Sequence, residues 1–116
     1  MRKTDKKIDN AIIAALTETC ETAKETYTGF QWLTHFVNWS AFPKSLVVIC
    51  IFDTNSNLAN ADVSGFRTTV KHQLSLINIH IRDANKQIRF DTEENCDHHH
   101  NGNWDNRFSG MQSSVS

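Results

Sequence analysis

The sequence predicts an α+β fold. It reads as a single domain ordered helix, strand, strand, helix, strand, strand, with a four-stranded antiparallel sheet, two long helices on one face and a short C-terminal helix. Three observations carry this. Ile8, Ile12, Leu16, Cys20, Ala23 and Tyr27 recur at spacings of four and three, the stripe of an amphipathic helix. Short runs rich in aromatic and β-branched residues follow, each too brief for a helix. Both halves then end alike, in Phe52-Asp53-Thr54 and Phe90-Asp91-Thr92. This weak repeat also has a local cause, since Asp-Thr at a strand end caps the helix that follows.

The first helix runs from Asp5 to Thr28, with Thr4 or Asp5 at its start and Gly29 where a terminating glycine belongs. In "GFQWLTHFVNW", strict alternation puts Phe30, Trp32, Thr34, Phe36 and Asn38 on one face and Gln31, Leu33, His35, Val37 and Trp39 on the other. "SAFPKS" is a turn around Pro43, and "LVVICIFDT" is a central strand, apolar on both faces.

"DTNSN" stops that strand and caps a second helix with the stripe Val63, Phe66, Val70, Leu74 and Ile77. Gly65 within it costs about 1 kcal/mol relative to Ala. "INIHIRD" alternates, with Ile77, Ile79 and Ile81 opposite Asn78, His80 and Arg82, and reads as a third strand. After the turn "DANK", "QIRFDT" reads as a fourth. Thr92, Glu93 and Glu94 open a short helix that Asn101-Gly102 closes. The predicted core is Ile12, Leu16, Leu33, Val47, Ile49, Ile51, Phe66, Val70, Leu74, Ile79, Ile81, Ile88 and Phe90. The domain spans residues 1–108, and 109–116 reads as a disordered polar tail.

Composition narrows the function. Among 116 residues, 12 Lys and Arg face 13 Asp and Glu, so the basic excess of a nucleic-acid-binding module is missing. The one basic cluster, Arg2, Lys3, Lys6 and Lys7, is interrupted by Asp5 and Asp9. Cys20, Cys50 and Cys96 are odd in number and form no CxxC, which points to reduced thiols and a cytoplasmic protein. The N-terminal stretch lacks the apolar core of a signal peptide. The run Leu46–Phe52 falls far short of the ~20 residues that span a bilayer.

The stretch "DTEENCDHHHNGNWDNRF" holds the candidate chemistry. On a helix Cys96 shares a face with His99 and His100, and a thiolate and an imidazole so spaced suit zinc. A structural zinc wants four ligands, and the remainder would come from His35, His72 or His80. Against this, three consecutive imidazoles diverge by about 100° each and suit the negative end of a helix. A Cys96–imidazole nucleophile is weaker still, because Cys96 lies a full turn into the helix, where the dipole fades. No nucleophile elbow, phosphate-cradling loop or dinucleotide fingerprint is present, so the sequence leans against an enzyme. Trp104, Arg107 and Phe108 have two readings: a lid docked on the sheet face that the helices leave open, or an exposed patch that anchors a partner.

The stretches "GFQWLTHFVNW", "VICIFDT", "FDTEENC" and "HNGNWDNRF", in this order, resemble a small family of uncharacterised gammaproteobacterial proteins of about this length. The likeness covers about residues 1–108. Members often carry an automated "Fis family transcriptional regulator" label, which this sequence does not support. Fis-type proteins end in a basic helix-turn-helix, whereas this chain ends in an acidic, histidine-rich stretch, Trp104 and a serine-rich tail. The resemblance implies a bacterial, cytoplasmic, stand-alone domain and assigns no catalytic residue. The leading expectation is therefore a non-enzymatic binding or adaptor domain, with another protein or a second copy as partner and no cofactor. A zinc-binding or thiol-based sensor on Cys96, His99 and His100 comes second, and a DNA-binding regulator last.

Overall fold

The computed structural model describes the backbone of residues 2–115 and the side chains of residues 2–110. Helix α1 (Lys3–Thr26) opens the chain and buries Ile12, Ala15, Leu16, Thr19 and Ala23. The buried face is turned slightly from the predicted stripe, which leaves Cys20 half-buried. Thr19 is accommodated because its hydroxyl donates to the Ala15 carbonyl at 3.0 Å. The turn out of α1 needs Gly29. Its φ is +85°, and a Cβ there would collide with the Asp53 and Asn57 side chains.

Strand β1 (Phe30–Phe36) pairs antiparallel with β2 (Val47–Phe52). Helices α2 (Asn55–Asn60), α3 (Val63–Ser75) and α4 (Ala84–Gln87) follow, then β3 (Ile88–Thr92), α5 (Glu93–His100) and α6 (Trp104–Val115). The β3 strand runs parallel to β2. The sheet is thus three-stranded and mixed, in the order β1-β2-β3, and the predicted four-stranded antiparallel sheet is wrong. The α+β class and the single domain stand. The Cα radius of gyration is 14.0 Å, close to the ~13 Å of a compact chain of this length.

The strand predicted at "INIHIRD" accounts for the difference. After α3 the Leu74 carbonyl accepts the N–H groups of both Ile77 and Ile79, and Asn78 takes a left-handed φ of +64°. Ile79 and Ile81 are buried while His80 and Arg82 are exposed, so the alternation is real. It decides which side chains enter the core, but the place beside β2 belongs to β3. Gln87 puts β3 there. Its amide donates to the Pro43 and Leu46 carbonyls at 3.2 and 3.1 Å, beside the start of β2. Both strands then leave from one end and run the same way.

The β2 strand is buried at all six positions because both faces are covered. Val48, Cys50 and Phe52 join Ile12 and Leu16 of α1 and Phe66, Val70 and Leu74 of α3. On the other face, Val47, Ile49 and Ile51 meet Trp32, Phe36, Trp104 and Phe108. A bulge at Gln31 shifts the register from Phe30↔Phe52 to Trp32↔Ile51. Phe30 and Trp32 therefore enter opposite layers instead of sharing a face, since one extra residue reverses the alternation. Of the predicted core, Leu33 and Phe90 are half-buried and the rest is buried. Helix α6 continues through Val115, and most of the tail expected at 109–116 lies outside the described side chains. Among the described residues no helix is long and apolar enough to cross a membrane.

Candidate functional site

Two places on this fold bring chemistry together. The first is the end of the sheet where β2 and β3 finish side by side. Thr54 caps α2 by accepting from Asn57 N–H at 3.1 Å, and Thr92 caps α5 by accepting from Asn95 N–H at 3.0 Å. In α/β sheets such an end, ringed by helix N-termini, is where ligands bind. Here the donors and acceptors are used internally. Asn55 N–H donates to Glu94 Oε1 at 2.8 Å, Glu94 N–H donates to the Asp53 carbonyl at 3.1 Å, and the Thr92 hydroxyl donates to Asn55 Oδ1 at 2.7 Å. The Asn57 amide, with the Thr54 N–H behind it, holds the Asp53 carboxyl below the usual carboxylate range.

The same end anchors α6. Arg107 grips Asp91 with two hydrogen bonds, Nε to Oδ2 at 2.5 Å and Nη2 to Oδ1 at 2.9 Å. That grip raises the guanidinium pKa further. One carboxylate, Glu93, accepts two indole N–H groups, from Trp32 at 2.8 Å and Trp104 at 2.9 Å. Trp104, Arg107 and Phe108 are thus brought together as the fastening of α6 to the sheet, with the two rings against Val47, Ile49 and Ile51.

Cys96 and the histidines on α5 differ in exposure. The Cys96 side chain is buried, and burial pushes its thiol pKa up. His98 and His99 are exposed, as are His72 and His80. His100 turns toward Arg107, whose Nη1 lies 3.3 Å from His100 Nδ1. Among the described residues no group of three or more His, Cys, Asp or Glu side chains is arranged to hold a metal ion.

The second place is a groove of about 440 Å³ between α1 and β1. Leu16, Cys20 and Leu33 contribute apolar surface, and Ile13, Glu21 and Lys24 line it from the solvent side of α1. Ile13 is 47% exposed. One end is fixed by His35, whose Nε2 lies 2.8 Å from Asp9 Oδ1. The groove runs beside the free edge of β1, which has no strand partner on that side among the described residues. Sequence reasoning missed this place. Its signal was Ile13, which stands next to Ile12 and off the predicted stripe, so it is apolar without a core to enter.

No protein-family model, curated protein or solved structure matches this chain.

Proposed function

We propose that this protein is a small non-enzymatic binding domain whose working surface is the free edge of β1 and the groove beside it. The observation that carries this reading is the coincidence of two features. An unpaired strand edge offers main-chain hydrogen bonds to an added strand, and an adjoining apolar groove offers side-chain pockets. The reading places recognition on the edge rather than on Trp104, Arg107 and Phe108, which are committed to holding α6.

Cys20 makes the reading testable. It lines the groove and is partly accessible, whereas Cys50 and Cys96 are buried. Peptides selected from a random phage-displayed library on the untagged protein are expected to slow alkylation of Cys20 and to shift the amide resonances of residues 31–36. Leu33→Lys should abolish both effects. Selected peptides that leave Cys20 and β1 untouched, or a failure to select any, would overturn the reading.

A further inference from the structure

We infer that one end of the molecule is a docking surface for an anionic lipid membrane, bound from outside and not crossed. This surface is separate from the proposed binding edge, and its test does not involve that edge.

The formal net charge of −1 hides a division that the fold makes. The Asp9–His35 contact brings the start of α1 to the end of β1, where Phe36 pairs with Val47. Because β3 runs parallel to β2, Val48 and Ile88 lie side by side at that same end. Gln87, bonded to the Pro43 and Leu46 carbonyls, adds α4 and the connection from β1 to β2. Three neighbouring strands are only about 10 Å across. This end therefore gathers the basic start of α1 with Lys44, Arg82 and Lys86, all exposed. Arg89 joins them, its Nε turned back to the Lys86 carbonyl at 2.9 Å. Of the acids that share this end, Asp5 is half-buried, Asp9 is engaged by His35, and Asp83 caps α4 by accepting from Lys86 N–H at 3.3 Å. The opposite end, where β2 and β3 finish, carries Asp53, Asp91, Glu93 and Glu94. A balanced composition is thus folded into two ends of unlike sign.

Leu76 decides which polyanion suits the basic end. At 64% it is more exposed than any other large apolar side chain among the described residues. It stands on the connection that carries Arg82 to α4. Trp39 and Phe42, with ring centroids 5.0 Å apart, form a half-buried pair in the connection that carries Lys44. Cations alone suit any array of phosphates. A bilayer adds an apolar phase just beneath its phosphates, which takes up exposed leucine and interfacial tryptophan. Each Lys or Arg near an anionic bilayer tightens binding by about fivefold. A nucleic-acid backbone offers Leu76 no comparable burial.

The test is co-sedimentation of the full, untagged chain with vesicles of phosphatidylcholine alone or of phosphatidylcholine mixed with phosphatidylserine. The variants are Leu76→Ser, the double variant K44E with K86E, and E25K at the other end. All four positions are exposed, so the variants should fold, and circular dichroism checks this. Wild type should bind the mixed vesicles at low salt, ignore the neutral ones, and release at about 1 M salt, where the Debye length is ~3 Å. The double variant should bind on the order of tenfold more weakly or worse, and Leu76→Ser about fivefold more weakly. E25K changes the net charge by as much as either single lysine reversal, yet should stay within about twofold of wild type. No retention on mixed vesicles at low salt overturns the inference. So does binding that the double variant leaves intact, or that E25K strengthens as much as the double variant weakens it. Binding indifferent to Leu76→Ser overturns it too, and retardation of a short DNA duplex that the double variant abolishes would then assign the basic end to nucleic acid.

Discussion

The two edges of this sheet are built differently. At the β3 edge, Arg67 Nε donates to the Ile88 carbonyl at 3.0 Å and the guanidinium stands 5.1 Å from the centre of the Phe90 ring. Arg89 turns back to the Lys86 carbonyl at 2.9 Å, and α2, α4 and α5 pack against the strand. The β1 edge carries no Arg, Lys or Pro and has a groove beside it. A protein that exposes an edge strand normally blunts it. This one blunts β3 and leaves β1 without a lysine or proline, and that contrast supports the proposed binding edge. The proposal expects a division of the energetics: loosening the α6 fastening should cost a single chain more than trimming the groove side of β1, where Leu33 is only half-buried.

The largest effect that tests this division is Asp91→Ala. Asp91 is only 4% exposed, and its loss leaves the Arg107 guanidinium, itself 15% exposed, without its counter-charge. Breaking such a pair costs about 3–5 kcal/mol. Urea denaturation should show a loss near the lower figure, because Arg107 can partly reach water. Trp104→Ala comes next, at about 2–3 kcal/mol, because it removes ring packing on Val47, Ile49 and Ile51 and one of the two hydrogen bonds to Glu93. Leu33→Ala, on the open side and half-buried, should cost clearly less than either. Equal costs on the two sides would erase the contrast.

A third test uses pH. Cys50 is fully buried in the layer between the sheet and helices α1 and α3, and burial raises its thiol pKa far above the ordinary value. The folded chain therefore keeps a proton that the unfolded chain releases. Below the ~8.5 of an exposed thiol this makes no difference, and above it stability should fall by about 1.4 kcal/mol per pH unit. Cys50→Ala should be less stable at neutral pH yet show a flatter alkaline slope. The slope is read from urea midpoints between pH 8 and 10, and an unchanged slope in Cys50→Ala would remove Cys50 as its source.

Periodicity in the sequence carried the apolar pattern well and the strand pairing poorly. The stripes of α1 and α3 and the two-faced burial of β2 follow from local spacing, because spacing decides which side chains can share a face. Pairing partners are a long-range choice. The alternation at Ile79 and Ile81 could not reveal that the strand after it, not this segment, would lie parallel beside β2, with Gln87 bonded to the Pro43 and Leu46 carbonyls. The Gln31 bulge was equally hidden, since strict alternation assumes no extra residue. Thr92 was legible as the cap of α5, and it caps that helix. The groove was not legible, because it depends on how α1 lies along β1.

The smallest expected effect is the most specific to the open edge. Ile13→Ser changes a residue that is 47% exposed, and Ile and Ser have similar helix propensities, so a single chain should lose less than about 0.5 kcal/mol. The outcome changes if Ile13 is covered by a second copy. Association stabilises the folded state by mass action, so the apparent stability of wild type then rises with protein concentration while that of Ile13→Ser rises less. Urea midpoints at low and high concentration separate the cases. A gap that opens with concentration places Ile13 in an interface, whereas a small constant gap leaves it a solvent-facing residue of α1.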